Sequence, residues 1–283
     1  MLAEIHATFP LFTYAFALLF GLIFGSFLNV VILRLPPVLQ HEWRREAHEI
    51  LELPFDEPVP PGVAWARSKC PKCGRQLKAW ENVPLLSYVA LRGKCAGCGV
   101  PISAQYPLVE AAAGLLTVAS LYAFGPTAPF VVASILCLTL LTLTVIDMRT
   151  MLLPDRIVLP LLWLGLGLNA FGSFFATPSA AVFGAILGYL SLWSVYHVFR
   201  LLTGKEGMGY GDFKMLAALG AWLGALALLP ILLFASLSGV LYAIVAALLR
   251  RRESSAPMPF GPFLAMGGVG YLFYAALVGP WPI

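Results

Sequence analysis

The stretch Met208-Gly209-Tyr210-Gly211-Asp212-Phe213-Lys214 lies between two long apolar runs. Its aspartate therefore stands where the polypeptide is expected to enter a membrane. A second aspartate, Asp147, ends another apolar run. The sequence predicts that both aspartates lie at the same membrane face and that their carboxylates form one active site.

The composition indicates a membrane protein. Hydrophobic residues make up 60% of the 283 residues and charged residues only 11%, whereas soluble globular domains have about 45–50% and about 25%. Several apolar runs reach the ~20 residues that a helix needs to cross a bilayer. They are continuous rather than alternating, which argues against a β-barrel. We therefore expect an all-α polytopic membrane protein and exclude an ordinary soluble domain.

Eight apolar runs are expected to cross the membrane. The first, 11–33, is long for a signal-peptide core and has no charged segment before it, so it is expected to be retained. The unbroken run 215–249 is too long for one crossing, and Pro230 is the expected break within it. The later spans are expected at 106–124, 129–147, 157–175, 180–200, 213–229, 231–249 and 261–280.

The basic residues support this count. With eight spans, all 18 Lys and Arg fall on or at the edge of one side of the membrane. The positive-inside rule makes that side cytoplasmic, and both termini are then expected on the other side. The basic side holds 34–105, 148–156, 201–212 and Arg250-Arg251-Arg252.

Residues 34–105 differ in kind from the rest of the chain. Ten of the Lys and Arg fall here, and prolines beginning with Pro36-Pro37 are expected to prevent a long helix in its first half. The sequence therefore predicts three parts. They are a first transmembrane helix at 1–33, a cytoplasmic zinc-binding loop domain at 34–105, and a seven-helix membrane peptidase domain at 106–283.

Four cysteines in this loop form two Cys-x2-Cys-Gly motifs: Cys70, Cys73, Cys95 and Cys98. The arrangement is typical of a structural zinc site, because four thiolates close a tetrahedral shell with no open position. Two disulfides, four free thiols or a redox pair are the alternatives, and a reducing cytosol argues against disulfides. The fifth cysteine, Cys137, is expected to pack inside the third span.

Four acidic residues lie in or beside the apolar runs: Glu110, Asp147, Asp155 and Asp212. Carboxylates at membrane depth are costly and are functional candidates. The helix dipole favours Asp155 at a helix start, and Asp212 can cap its own helix with Lys214 as counter-charge. The same dipole disfavours Asp147 at a helix end, where a pair with Arg149 is the alternative. Glu110 is expected to make a polar contact in the helix bundle.

The glycines before Asp212 add to the active-site hypothesis. Gly209 and Gly211 are expected to give the backbone conformations closed to other residues and to let a substrate chain approach the carboxylate. Two carboxylates on one face cannot both ionise easily, so they share a proton. One then activates a water while the other protonates the scissile carbonyl, as in aspartic proteases.

The chain resembles the type IV prepilin peptidases, which are membrane aspartic proteases of the GxGD type that also act as N-methyltransferases. The likeness extends over nearly the whole chain, and no motif departs from the family pattern. The matching residues are 25–31, Cys70-Pro71-Lys72-Cys73, 82–88, 91–95, 102–110, 146–155 and 207–214.

The resemblance implies an activity and a site. Asp147 and Asp212 match the catalytic pair, and the substrates are prepilins and type II secretion pseudopilins in the bacterial inner membrane. Cleavage after a glycine on the cytoplasmic face is followed by methylation of the new N-terminal residue, usually Phe, with S-adenosylmethionine. The family's cysteine loop is tied to the methylating form. No glycine-rich nucleotide motif marks a site for the methyl donor.

Two other classes of function remain open from the residues themselves. A transporter or channel would use its acidic residues to carry protons or cations, but would place them near the bilayer midplane. A scaffold would use the zinc loop to recruit partners, with the aspartates as helix caps. Besides its pilin substrates the chain is expected to contact membrane lipid and no nucleic acid.

Overall fold

The chain is built from α-helices. The computed structural model describes residues 2–63, 67–249 and 258–279. Within these ranges no β-strand forms, and the β pairing consists of two isolated bridges, Lys69 with Gln76 and Lys94 with Pro101. The predicted all-α fold is confirmed.

Two compact units divide the chain, Met1–Thr127 and Ala128–Ile283. The first contains α1 (Leu2–Thr8), α2 (Pro10–Ile50), α3 (Leu86–Ala90) and α4 (Gln105–Phe124). The second contains α5 (Ala128–Thr150), α6 (Asp155–Gly172), α7 (Pro178–Thr203), α8 (Tyr210–Leu223), α9 (Leu228–Leu248) and α10 (Gly261–Val278). Short 3-10 helices occur at Ala79–Asn82 and Ala225–Ala227. The three-part division drawn from the sequence stays a prediction.

Six helical segments among the described residues are long and apolar enough to cross a membrane, and the chain is a multi-pass membrane protein. They are Pro10–Ile50, Gln105–Phe124, Ala128–Thr150, Pro178–Thr203, Ala225–Leu248 and Gly261–Val278. Helix α8, the predicted sixth span, has 14 residues, or about 21 Å against the ~30 Å of a bilayer core. Helix α6, the predicted fourth span, is not among the six either. The count of eight spans therefore stays a prediction. The predicted loop Arg250-Arg251-Arg252 and the span end at residue 280 lie outside the described residues.

Helix α2 shows that the predicted break at Pro36-Pro37 is wrong. The helix runs on to Ile50 with both prolines inside it, although an interior proline costs about 3 kcal/mol. The chain beyond Ile50 folds back along this extension. His41 Nε2 lies 3.3 Å from the Glu57 carbonyl, and the His41 ring meets Phe55 edge-on. These contacts stabilise helical turns that the prolines disfavour.

The predicted break at Pro230 is also wrong. Helix α8 ends at Leu223, and the next residue, Gly224, has a φ of 83°, a conformation that favours glycine. Pro230 instead stands in the first turn of α9, where its missing N–H costs no helical hydrogen bond. The glycine ends the helix because its backbone can leave the helical region, while the proline is placed where a helix tolerates it.

Within the first unit, α2 and α4 approach closely through small residues. A Cβ on Gly21 would lie 2.6 Å from the Thr117 hydroxyl oxygen, and one on Gly25 would lie 2.7 Å from the Glu110 Cα. Small residues at such crossings let helices approach in lipid. This contact brings Glu110 into a buried position beside α2.

Helix α8 is the core of the second unit. Its residues from Met215 to Leu223 are all buried, as expected for a helix that is apolar on every side. Glycines form its crossing with α7: a Cβ on Gly220 would overlap the Gly184 carbonyl, and one on Gly184 would overlap the Gly220 carbonyl. The helix that carries Asp212 is therefore held by surrounding helices.

One buried asparagine ties α6 to the end of α8. The Asn169 amide nitrogen donates to the carbonyls of Ala221 and Trp222 at 2.9 Å each, and its oxygen accepts from the N–H groups of Phe175 and Ala176. All of its hydrogen-bonding capacity is used inside the protein, which fixes the position of α8 along its axis.

Candidate active site and cysteine cluster

Asp147 lies in the last turn of α5 and is buried. Its Oδ2 accepts a hydrogen bond of 3.0 Å from the backbone N–H of Gly261. Gly261 is the first residue of α10, so its N–H has no partner within that helix. The dipole of α5 disfavours the charge on Asp147, and the start of α10 supplies a favourable contact. This contact was not predicted from the sequence. Pro262 indicated only that a helix begins near Gly261, because proline is typical of a first helical turn.

Asp212 lies in the first turn of α8 and is also buried. Its Oδ1 is buried without a hydrogen-bond partner among the described residues, while its carboxyl interacts with the N–H of Gly209. The predicted counter-charge is not seen, because Lys214 pairs elsewhere. The carboxyl group of Asp212 is thus buried, and one of its oxygens accepts no hydrogen bond from the described residues.

The second unit brings the two aspartates together. Their carboxylates are close enough for Asp147 to act electrostatically on Asp212. Leu153, in the turn after α5, lies between the segments that carry them: a Cβ on Gly211 would lie 2.8 Å from the Leu153 Cβ, and one on Gly261 would lie 3.2 Å from its Cδ2. Leu153 therefore packs against both the segment that carries Asp212 and the start of α10, which contacts Asp147.

The glycines before Asp212 act differently from the prediction. Gly209 has φ −80° and ψ 147°, which any residue can adopt, and Gly211 is not among the glycines of positive φ. Gly211 is required instead for space, because a side chain there would collide with Leu153. The expectation that they adopt conformations closed to other residues is wrong, and the close approach of a substrate stays a prediction.

Asp155 and Lys214 form an ion pair between the starts of α6 and α8. Lys214 Nζ lies 2.8 Å and 2.7 Å from the two oxygens of the Asp155 carboxylate. Asp155 stands in the first turn of its helix as predicted, but its partner is 59 residues away in sequence. The pair joins α8, which carries Asp212 in its first turn, to α6, the helix that follows Asp147 in the chain.

This ion pair is testable by a double-mutant cycle. Lys214→Met and Asp155→Asn are each expected to lower the melting temperature of the detergent-solubilised protein slightly, and the double variant to lower it no further. The side chains are 29% and 53% exposed, so the coupling is expected at the scale of exposed pairs, about 0.2–1 kcal/mol. Additive losses would show that the pair contributes nothing.

Glu110 makes its polar contact within the first unit. Its buried carboxylate accepts a hydrogen bond of 2.9 Å from the N–H of Leu85, and the Ser26 side chain also hydrogen-bonds to it. Leu85 has φ 58°, which is rare for a leucine. The contact fixes an unusual backbone position of the 79–90 segment on the membrane helix α4.

The two cysteine motifs form turns of the same design. In both, the N–H of the first cysteine donates to the carbonyl five residues later at 2.9 Å. The glycines after the second cysteine, Gly74 and Gly99, have φ of 70° and 69°, where residues other than glycine are strained. The sequence Lys-Cys-x-x-Cys-Gly occurs twice, at 69–74 and at 94–99, and this repeat indicates two turns of the same structure.

The two turns bring four sulfur atoms into one cluster. The Sγ atoms of Cys70, Cys73, Cys95 and Cys98 all lie within 4.8 Å of one another, and those of Cys70 and Cys98 are 3.9 Å apart. Metal–sulfur bonds of about 2.3 Å in a tetrahedron place sulfurs ~3.8 Å apart. All five cysteines are free thiols, so the disulfide alternative is not seen. The four cysteines can hold a metal ion, and Cys137 is buried in α5 as predicted.

An arginine and a glutamate that sequence reasoning missed support this cluster. Arg75 Nη2 lies 2.6 Å from the buried Glu81 carboxylate, and its hydrogen bond lowers the pKa of Glu81. The Arg75 side chain also hydrogen-bonds to Cys95. Backbone N–H groups of Cys98 and Gly97 lower the pKa of the Cys95 thiol to about 6. The thiolate, which is the form that binds metals, is thus favoured at this position.

The chain is thus a multi-pass membrane protein. One unit contains two buried aspartates, and the other contains four clustered cysteines that can hold a metal ion. Two family models match such a chain: the bacterial peptidase A24 N-terminal domain over residues 19–124 and the type IV leader peptidase family over residues 134–244. The chain belongs to the type IV leader peptidase family.

Curated relatives support the same assignment. A prepilin leader peptidase/N-methyltransferase of Burkholderia pseudomallei (strain 1026b) is 50% identical over 92% of this chain and 85% of its own. One of Aeromonas hydrophila is 48% identical over 99% and 97%, and one of Pseudomonas aeruginosa is 48% identical over 94% and 92%. No solved structure matches the chain. This family membership favours the peptidase hypothesis over the transporter and scaffold alternatives.

Proposed function

We propose that this protein is a membrane aspartic endopeptidase that cleaves the leader peptide of prepilins and then N-methylates the new N-terminus. The observation that carries the proposal is the pair of buried, interacting aspartates, Asp147 and Asp212, in a chain of the type IV leader peptidase family. Its relatives are named for both activities.

The chemistry follows from sharing one proton between two carboxyl groups. The ionised carboxylate removes a proton from a water molecule, whose oxygen attacks the scissile carbonyl carbon. The protonated carboxyl group donates its proton to the carbonyl oxygen. As the tetrahedral intermediate collapses, the C–N bond breaks and the first carboxyl group passes the proton from the water to the leaving amine. The second carboxylate takes back a proton from a hydroxyl group of the intermediate. Both groups must therefore be present, because each supplies one of two opposite proton transfers.

The finer features of the substrate come from the resemblance. We infer that the substrates are type IV prepilins and type II secretion pseudopilins, cut after a glycine and before a residue that is usually Phe. The positive-inside rule supports cutting on the cytoplasmic face of the bacterial inner membrane. Incubation of the purified protein with a prepilin, with and without S-adenosylmethionine, tests both activities through the product masses.

The four-cysteine cluster is proposed to hold one structural zinc ion. Cys70, Cys73, Cys95 and Cys98 would close its tetrahedral shell, so no position is left for a substrate or a water. The metal would order the loop, since each pair of ligands fixes one turn. S-adenosylmethionine is proposed as the methyl donor, and the new N-terminal amine of the pilin is the group that its methyl reaches.

Removal of one thiol tests the zinc proposal. Cys73→Ser and Cys98→Ser are each expected to lower bound zinc from one ion per chain to less than about a tenth, because three ligands leave the shell open. Methylation is expected to fall with the metal. Bound zinc is measured by elemental analysis of purified protein. Cys137→Ala, a change in the buried cysteine of α5, should keep the full metal content, and wild-type protein without zinc would contradict the proposal.

A further inference from the structure

We propose that Gly261 is a positioning residue of the active site: its backbone N–H holds the Asp147 carboxylate, and its missing side chain leaves the space that this carboxylate occupies. This rests on the proposed function, in which Asp147 is one of the two catalytic carboxylates. Gly261 lies 114 residues after Asp147 in the chain, so the contact joins two distant segments.

The hydrogen bond is formed in a protected position. The Gly261 N–H donates to Asp147 Oδ2 at 3.0 Å, and both residues are buried. Pro262 follows directly and has no N–H of its own, so Gly261 supplies the first donor of α10. A hydrogen bond from a backbone donor to a buried carboxylate stabilises its charged form.

The position also requires glycine. A Cβ on Gly261 would lie 2.7 Å from Asp147 Oδ2 and 3.2 Å from Leu153 Cδ2. The first distance is shorter than atoms of this kind approach one another, so even one methyl group must displace the carboxylate. The φ of Gly261 is not in the left-handed region. The need for glycine is therefore one of space around Asp147 rather than of backbone conformation.

The two carboxyl groups differ in the hydrogen-bond partners that surround them. Each carboxyl group interacts with a backbone N–H group, that of Gly261 for Asp147 and that of Gly209 for Asp212, but among the described residues Oδ1 of Asp212 is buried without a partner. A charged oxygen without a partner is costlier to bury than a neutral one. The arrangement thus favours the negative charge on Asp147, as the base that activates water, and the proton on Asp212.

Gly261→Ala tests the proposal. We expect kcat for prepilin cleavage to fall at least tenfold with KM within about twofold, because the methyl group displaces the reacting carboxylate and leaves the substrate-binding surface intact. Methylation of a pilin peptide that already has its mature N-terminus should stay within about twofold of wild type. Gly270→Ala is the matched control, since Gly270 lies on the same helix and a Cβ there meets nothing within 4 Å.

The outcomes separate this inference from the proposed function. Cleavage by Gly261→Ala at the wild-type rate would overturn the inference, and so would a joint loss of cleavage and methylation, which would indicate a general folding fault. The double variant Gly261→Ala/Leu153→Ala removes the crowding against Leu153 and keeps the crowding against Asp147. Recovery of cleavage in this variant would attribute the loss to Leu153 and would also overturn the inference. If Asp147→Asn itself still cleaves prepilin, the proposed function fails instead.

Discussion

Asp147→Asn and Asp212→Asn are each expected to abolish prepilin cleavage. Asparagine has nearly the same shape as aspartate but cannot accept or donate the transferred proton, so one of the two proton transfers is lost. General acid–base catalysis contributes about a hundred- to ten-thousand-fold to such reactions. We expect each loss to reach that scale, and the double variant to be little worse than either single one, because the pair acts as a unit.

The measurement is the fraction of prepilin converted in time courses with purified variants in detergent. Methylation of a peptide that already has the mature N-terminus reports whether each variant is folded. Glu206→Gln is the matched control for removal of an acid, because Glu206 is 73% exposed and 4.0 Å from Arg200. Normal processing by either aspartate variant would show that the two carboxylates are not the catalytic pair.

The local parts of the site could be predicted from the sequence. Apolar runs and flanking charges indicated an all-helical membrane protein, and the Cys-x2-Cys pairs indicated a cluster that can hold a metal. Asp147 stood out because a helix end disfavours a negative charge. These predictions required only the residue types and their spacing along the chain.

What could not be predicted depends on contacts between distant segments. The partner of Asp147 is the N–H of Gly261, and a backbone group has no residue type that marks it. Lys214 was assigned to Asp212 because the two are neighbours in sequence, yet a tertiary contact gives it to Asp155. Burial of carboxyl groups likewise depends on the helices around them rather than on their own segment.

The two errors in helix boundaries have different origins. Proline was taken to end helices at Pro36 and Pro230, but its effect depends on position and on what packs nearby. In α2 the returning segment near Phe55 supports the helix beyond the prolines. In α9 the proline stands in the first turn. The extent of α2 thus depends on a tertiary contact that local propensity does not contain, whereas the boundary between α8 and α9 follows from the local properties of Gly224 and Pro230.

Gly220→Ala is expected to impair both folding and cleavage. Its Cβ would overlap the Gly184 carbonyl on α7, and backbone atoms cannot move aside as a side chain can. Overpacking of this kind costs about 1–3 kcal/mol or more, so we expect the melting temperature to fall by about 5 °C or more. Gly184→Ala should behave alike, because the overlap is mutual.

The cleavage rate should also fall, although Gly220 is adjacent to neither aspartate in the sequence. Helix α8 is rigid over the two turns between Asp212 and Gly220, so separation of α7 from α8 moves the carboxyl group as well. We expect at least a tenfold lower rate, since small displacements of a reacting group have effects of that size.

Gly167→Ala is the control for helix propensity, measured by the same thermal unfolding and cleavage assays. A Cβ at Gly167 on α6 meets nothing within 4 Å, and alanine is a better helix former than glycine by about 0.5–1 kcal/mol. This variant should be as stable as wild type or more so. A methyl group that pushes α8 away from α7 must change stability or cleavage. If Gly220→Ala had the same melting temperature and cleavage rate as Gly167→Ala, the close α7–α8 crossing would therefore not position Asp212.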